Sequence, residues 1–179
     1  MEIRATNIKA DNMKLIGSVV FNSVSRDIGS FVEVIKPSSF NDSLASGEPV
    51  KAIVEHNHDL LLGKTTSGTL ELKETPAELE VTIHLSNKIQ AHVDIYEQVK
   101  RGDLDSLSFG FVADVEEWDH EAIPPIRYIS KARLYEITVC AVGAYAANKI
   151  DARSLLNSAF AQTSAIQTLK AQFQLLELM

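Results

Sequence analysis

The chain has 179 residues, of which 45% are hydrophobic, so it can form one domain with a substantial core. Its formal charge of −7 disfavours a nucleic acid or an anionic membrane as partner, because both attract basic surfaces. The single cysteine, Cys140, excludes an intrachain disulfide and CxxC metal or redox chemistry, and its apolar neighbours indicate a buried side chain.

The N-terminal stretch MEIRATNIKADNMKL carries charges where a signal peptide has an apolar centre. No apolar run along the sequence approaches the length of a membrane span. We therefore expect a soluble, intracellular protein.

Residues 1–85 are predicted to form mostly β-strands, because apolar and β-branched runs are separated by polar turns. These runs are 14–22, 30–36, 50–58, 67–75 and 78–86. Pro37 can open a short helix after the second run. The third run, VKAIVEHNH, is interpreted as one extended strand with Val54, His56 and His58 on the same face.

The period changes to that of a helix in residues 86–101. The apolar positions of this helix are Ile89, Val93, Tyr96 and Val99. Ser86 or Asn87 can cap its start, and Gly102 is expected to end it. Strands are predicted again at 105–117 and about 126–142.

Apolar residues follow a heptad pattern in the C-terminal segment, residues 151–179. They are Leu155, Ala159, Ile166, Leu169, Phe173 and Leu176, with Gln162 as a polar member. The pattern predicts a helix that packs on its own domain or on another chain. We therefore divide the chain into a domain of residues 1–150 and a C-terminal helical segment of residues 151–179, with self-association as a hypothesis.

The stretch SLSFGF, residues 106–111, places a serine where a bound chain could reach it. Alternation puts the phenylalanines on the core face, and Ser106, Ser108 and Gly110 on the other face. Gly110 removes bulk beside Ser108. Ser108 is therefore a candidate nucleophile, although the same pattern also fits an ordinary strand serine.

A serine nucleophile needs a base, and histidine is the usual one near neutral pH. His56 and His58 lie at a predicted strand end, where catalytic groups often occur. His92 on the predicted helix and His120 in a polar loop are expected at the surface, and His84 is interpreted as a strand-face residue. His56 and His58 are therefore the candidate bases.

The same HxHD motif could instead bind a metal ion through His56 and His58. Asp59 would point to the opposite face of a strand, and no distant His/Glu cluster accompanies it. A metal site is therefore disfavoured.

The acidic member of a triad orients the base and stabilises its charged form. Asp59 is adjacent to His58, which gives poor geometry for this role. Glu136, in RLYEITVC, is predicted to share a face with Leu134, Thr138 and Cys140, where a carboxylate needs a partner. A histidine could be that partner, although Arg127, Arg133 or water could also satisfy the carboxylate.

Three motifs together resemble the prohead, or procapsid maturation, proteases of tailed bacteriophages. They are NHD with LLGKTTSGTLEL, VKRGDLDSLSFGF, and RLYEITVCAVGAYAANKI, and the similarity spans about residues 14–150. The resemblance implies that His58, rather than His56, is the base, that Ser108 is the nucleophile and that Glu136 is the acidic residue. The sequence departs from many relatives in DSLS before Ser108 and in GAYAAN after Val142.

This family is similar in fold to the herpesvirus capsid-assembly proteases. The fold that the resemblance implies is α+β and mainly β, with a barrel-like, largely antiparallel sheet, a few flanking helices and a C-terminal helix. The implied function is a serine endopeptidase without cofactor or metal. It would cleave scaffold and capsid-protein segments, and often itself, inside the procapsid in the bacterial host cytoplasm.

Two other functions fit parts of the sequence. A non-catalytic capsid-assembly or scaffold protein could use the same barrel, although it would have no reason to keep serine, histidine and glutamate together. A metal-dependent hydrolase would use His56 and His58 as ligands.

Overall fold

The computed structural model describes residues 9–25, 27–141 and 152–154. Within these residues lie ten strands, two α-helices and one 3₁₀ turn. In chain order they are β1 (Lys9–Asp11), β2 (Lys14–Val20), β3 (Val32–Ile35), α1 (Asn41–Ala45), β4 (Lys51–Val54), β5 (Asn57–Lys64), the 3₁₀ turn (Thr65–Ser67), β6 (Leu70–Glu74), β7 (Glu78–His84), α2 (Gln90–Arg101), β8 (Ser106–Asp119), β9 (Ile126–Cys140) and β10 (Ala152–Ser154).

The strands form a four-stranded and a six-stranded sheet. The smaller sheet has the order β1-β2-β7-β6, and each neighbouring pair is antiparallel. Its strands alternate between buried apolar and more exposed polar residues, as β7 shows with Leu79, Val81 and Ile83 buried. This sheet therefore covers one side of the core.

The long β8–β9 hairpin is the centre of the six-stranded sheet. β10 pairs in parallel with β8, β3 and β4 pair in parallel with successive parts of β9, and β5 pairs antiparallel with β4. The chain just before and within α1 fills the gap between β3 and β4, where Ala132 N–H donates to the Ser39 carbonyl and Leu134 N–H donates to Ser43 Oγ. The whole length of β9 is thereby held in place.

The core lies between the two sheets and contains apolar side chains from both. Phe40, Phe109 and Phe111 form a cluster of edge-on and stacked rings with centroids 5.5–6.4 Å apart. Phe111 and Ile137 are fully buried, which shows that these β8 and β9 side chains face the core. The alternating partners of these residues must therefore face the other way.

A β-bulge at Tyr135 sets which β9 side chains face away from the core. Gly110 lies opposite Glu136 and Phe111 lies opposite Leu134, so Tyr135 is the extra residue. Leu134 belongs to the core, and the prediction that it shares a face with Glu136 is wrong because the bulge changes the alternation. We call the side of β8 and β9 that faces away from the core the outer face; it carries Ser106, Ser108, Gly110, Arg133, Glu136, Thr138 and Cys140.

The prediction of a mainly β fold is confirmed, and most strand pairs are antiparallel. The barrel is wrong for the described residues, because the sheets end at separate edge strands and do not close. The parallel pairs of β3 and β4 with β9 are a further departure from a simple antiparallel sheet. The predicted C-terminal helix lies outside the described residues from position 155 onward, and residues 152–154 at the start of that segment form β10.

The run 50–58 is a hairpin and not the single strand predicted from alternation. Val54 lies opposite Asn57, so Glu55 and His56 form a two-residue turn between β4 and β5. Both residues have positive φ, 49° and 54°, as a tight hairpin turn of this type requires. The turn brings His56 and His58 back toward the end of β9.

Candidate active site

Ser108 lies near the start of β8 on the outer face, as the alternation predicted. Its cross-strand partner on β9 is Thr138, and the next outer-face pair is Gly110 with Glu136. Cross-strand partners have Cβ atoms only about 4.5–5.5 Å apart, so Ser108 and Thr138 are close neighbours. Ser108 is only 2% exposed.

Glu136 occupies the space that the missing side chain of Gly110 leaves. A Cβ atom at position 110 would lie 2.7 Å from Cγ of Glu136, closer than real Cβ contacts allow. Glu136 is 7% exposed, and its carboxylate therefore depends on protein partners. The glycine in SLSFGF thus makes room for the carboxylate.

His56 is the nearest partner of that carboxylate. Its Nδ1 donates to Oε1 of Glu136 at 2.6 Å. This hydrogen bond is the main reason that the pKa of Glu136 is lowered, although burial acts in the opposite direction. The hairpin turn places His56 here because β4 runs parallel to β9 and ends beside Val139.

His58 faces the other oxygen of the same carboxylate. Its Nε2 lies 3.7 Å from Oε2 of Glu136, too far for a hydrogen bond but within reach of a small movement. Val54 pairs with Asn57, and the next residue of β4, Ile53, pairs with Leu61. Residues 58–60 lie between these two pairs and therefore bulge out of β5. The side chain of His58 is 68% exposed and can approach a bound substrate.

Thr138 is a member of this cluster that the sequence analysis did not assign to the site. Its hydroxyl donates to Oε1 of Glu136 at 3.4 Å and lies 3.2 Å from Nδ1 of His56. Thr138 is fully buried. Its position two residues after Glu136 on a strand was the available signal, because such residues share a face.

His92 is the second residue whose importance was missed, since it was predicted at the surface. It lies on the buried side of α2, where Ser86 N–H donates to Nδ1 and Nε2 donates to the Leu61 carbonyl. Leu61 closes the bulge that carries His58. His92 therefore anchors α2 to the strand segment of the candidate base.

The remaining sequence candidates have other partners. Ser106 Oγ donates to its neighbour Asp105, and His84 pairs with Glu71 on the four-stranded sheet. His120 stacks on Trp118 at an exposed position, as predicted for a surface residue. Asp59 N–H donates to Asn57 Oδ1, and Asp59 is exposed.

The arginines that could have neutralised Glu136 have other partners. Arg127 contacts Glu33 and Glu116, and Arg133 contacts Asp114 at 3.0 Å. The alternative in which a histidine satisfies Glu136 is therefore the one observed. Within residues 9–25, 27–141 and 152–154, no group of three or more His, Cys, Asp or Glu side chains has the arrangement to hold a metal ion.

A strand serine, a buried carboxylate with lowered pKa and two histidines beside that carboxylate are the components of a serine–histidine–acid hydrolytic site. The comparisons define the class further. The chain belongs to the family of caudovirus prohead serine proteases, whose model matches residues 1–163. The resemblance drawn from the motifs is thus confirmed.

Family membership makes the chain a serine peptidase of phage head maturation, with capsid proteins as its class of substrate and the procapsid as its place of action. No curated protein and no solved structure matched the chain. The likeness to herpesvirus capsid-assembly proteases therefore stays a prediction. No helix in the described part of the chain is long and apolar enough to cross a membrane.

Proposed function

We propose that the chain is an endopeptidase in which Ser108 is the nucleophile, His58 the general base and Glu136 the residue that orients the base. Its substrates would be scaffold and capsid-protein segments, and the chain itself. The domain of residues 1–150 would carry this activity, with the segment 151–179 serving self-association or docking on the scaffold.

The observation that carries the proposal is the position of the Glu136 carboxylate. It lies on the outer face one residue pair from Ser108, opposite a glycine that makes room for it. Oε1 is held by His56 and Thr138, which leaves Oε2 toward His58 at 3.7 Å. Catalytic hydrogen bonds are often long before substrate binds and shorten in the complex.

The reaction that these residues support is acyl transfer. His58 removes the proton from Ser108 Oγ as Oγ attacks the peptide carbonyl carbon, and Glu136 stabilises the imidazolium that forms. Collapse of the tetrahedral intermediate breaks the C–N bond, and His58 gives the proton to the leaving amine. Water, deprotonated by His58, then hydrolyses the acyl-enzyme and restores Ser108.

The burial of Ser108 adds a condition to this reaction. At 2% exposure Ser108 is largely covered, so access of a peptide carbonyl to its Oγ would require the outer face to open locally. We therefore expect activity to depend on the assembly state, with an isolated chain less active than one inside a procapsid. Conformational steps that open or close the site control the activity of many enzymes.

The test is co-expression of the chain with its phage's scaffold and major capsid protein, followed by intact-mass measurement of the assembled particles. The wild type should produce defined fragments, and Ser108→Ala should produce none. Ser106→Ala is the matched control, since Ser106 lies on the same face of the same strand and should leave cleavage intact. Cleavage that survives Ser108→Ala would overturn the serine assignment. Particles that assemble without any cleavage would favour the non-catalytic assembly protein.

A further inference from the structure

A groove of about 500 Å³ lies between α1 and the β8–β9 hairpin. Its floor is the part of β9 from Lys131 to Tyr135. Asp42 and Ser46 line it from the side of α1, and Asp114 lines it from β8. None of these residues has a role in the proposed reaction.

The groove lies next to the candidate active site on the outer face, because Arg133 lines it and Glu136 follows on the same face of β9. Tyr135, the extra residue of the bulge, lines the groove and directly precedes Glu136 on β9. A strand segment such as Lys131–Tyr135 is about 13 Å long at roughly 3.3 Å per residue, which is the length of about four residues of an extended peptide. A peptide whose scissile carbonyl reaches Ser108 can therefore continue along this floor.

The charges of the groove favour a basic side chain. Its lining contains three carboxylates, Asp42, Glu48 and Asp114, and two cations, Lys131 and Arg133. Lys131 pairs with Asp42 at 2.6 Å and Arg133 with Asp114 at 3.0 Å, which leaves Glu48 in excess.

The ion pair between Lys131 on β9 and Asp42 on α1 can open at little cost in free energy. The side chain of Lys131 is 48% exposed and that of Asp42 is 74% exposed. Exposed ion pairs of this kind contribute at most about 1 kcal/mol, so a substrate side chain can displace Lys131 and bind the carboxylate.

We propose that this groove is a substrate subsite, and that it binds an extended peptide segment carrying a lysine or arginine beside Asp42 and Glu48. The proposal rests on the proposed function, because it assumes that Ser108 cleaves the peptide that the groove holds. Tyr135 would contact the substrate between the basic residue and the scissile bond.

Binding is measured on full-length Ser108→Ala protein, so that no probe is cleaved. The probes are eight-residue alanine–serine peptides that carry one lysine, glutamine or glutamate. Amide shifts of residues 131–135 report where each peptide binds, and titration gives Kd. The lysine peptide should shift these amides and bind about fivefold more tightly than the glutamine peptide, which corresponds to about 1 kcal/mol.

Glu48→Gln should remove that preference and Glu48→Lys should reverse it toward the glutamate peptide. Glu71→Gln, an exposed glutamate on the four-stranded sheet, is the matched control and should change nothing. The proposal is wrong if the lysine peptide leaves residues 131–135 unshifted, or if Glu48→Lys leaves its Kd unchanged.

The same preparations separate this proposal from the proposed function. If Ser108 is needed for cleavage of capsid protein but the lysine peptide does not shift the amides of residues 131–135, the subsite proposal is wrong and the proposed function stands. If lysine peptides bind specifically in the groove but Ser108→Ala does not affect cleavage, the groove is a peptide-binding site and the proposed serine mechanism is wrong.

Discussion

One carboxylate, that of Glu136, lies between two histidines of the same hairpin: Oε1 is 2.6 Å from Nδ1 of His56 and Oε2 is 3.7 Å from Nε2 of His58. The two distances suggest different tasks. The shorter contact fixes the carboxylate, and the longer one leaves His58 able to move, as its proposed role of general base requires. Since a carboxylate accepts several hydrogen bonds, one glutamate can serve both histidines at once.

Separate substitution of the two histidines should distinguish these tasks. His58→Ala should lower kcat/KM about 10²–10⁴-fold, the usual contribution of a general base. His56→Ala should lower kcat/KM less, and the pKa of Glu136, followed by NMR titration of its carboxyl carbon, should rise. The reason is that the His56 hydrogen bond is the main cause of the lowered pKa of Glu136, so its loss raises that pKa.

The measurement is kcat/KM as a function of pH on a capsid-protein peptide that the wild type cleaves. His84→Ala is the control, because His84 pairs with Glu71 far from Ser108 in sequence and sheet. A His58→Ala protein with near-normal activity beside an inactive His56→Ala protein would assign the base to His56.

Gly110→Ala should displace Glu136 and thereby impair both stability and catalysis. The added Cβ would lie 2.7 Å from Cγ of Glu136, and such overpacking costs about 1–3 kcal/mol. Urea unfolding measures the loss of stability. The lost position of Glu136 should lower kcat more than it raises KM.

A double-mutant cycle with Glu136→Asp tests the cause. The shorter aspartate withdraws from position 110, so the two substitutions together should destabilise the protein by about 0.5–3 kcal/mol less than the sum of their separate effects. Additive effects would show that the alanine is not in conflict with Glu136.

The elements with strong local periodicity could be predicted from the sequence. Alternation gave β2, β7, β8 and β9 to within a few residues, and the helical period gave α2, which ends at Gly102 with a φ of 83°. In SLSFGF it also identified the face that carries Ser108, because no bulge interrupts β8 before Gly110. Each of these features depends on residues adjacent in sequence.

The features that define the site could not be predicted, because they depend on contacts distant in sequence. Asn-Gly or Gly-Gly would have indicated a two-residue hairpin turn, but Glu55 and His56 form the turn here. Nothing in their local sequence indicates that both residues adopt positive φ. The bulge at Tyr135 reverses the alternation that was extended from Leu134 to Glu136. Histidine is polar, so His92 was predicted at the exposed side of the helix. Its ring is buried instead, and it forms hydrogen bonds with Ser86 and Leu61.

Glu33 should make stability fall as pH rises through neutrality. Burial raises its pKa to about 7, against the opposing effect of Arg127, which contacts it at 2.7 Å. A carboxyl with a raised pKa favours the folded state below its unfolded value near 4.5 and loses that contribution as pH rises to about 7. The wild type should therefore lose about 1–3 kcal/mol relative to Glu33→Gln between pH 5 and pH 8.

Urea unfolding at the two pH values measures this difference. Glu117→Gln is the control, because Glu117 pairs with Lys36 at an exposed site, where removal of a carboxylate changes stability little. If the wild type instead gains stability over Glu33→Gln as pH rises, Arg127 keeps Glu33 ionised throughout and the assignment is wrong.

His92 should support the segment that carries His58, because its ring connects α2 to β5. His92→Ala leaves the Leu61 carbonyl and the Ser86 N–H without their ring partner, and the loss of a part-buried hydrogen bond costs about 0.5–1.5 kcal/mol each. Urea unfolding should show this loss, and amide exchange of residues 60–62 should become faster.

His92→Gln, whose side-chain amide can still donate to Leu61, should recover part of both effects. His84→Ala removes only the contact with an exposed glutamate and should change stability by less than about 1 kcal/mol. If exchange at residues 60–62 is the same in His92→Ala and the wild type, the bulge of His58 is held by β4 alone, and any effect of His92 on catalysis must arise within α2.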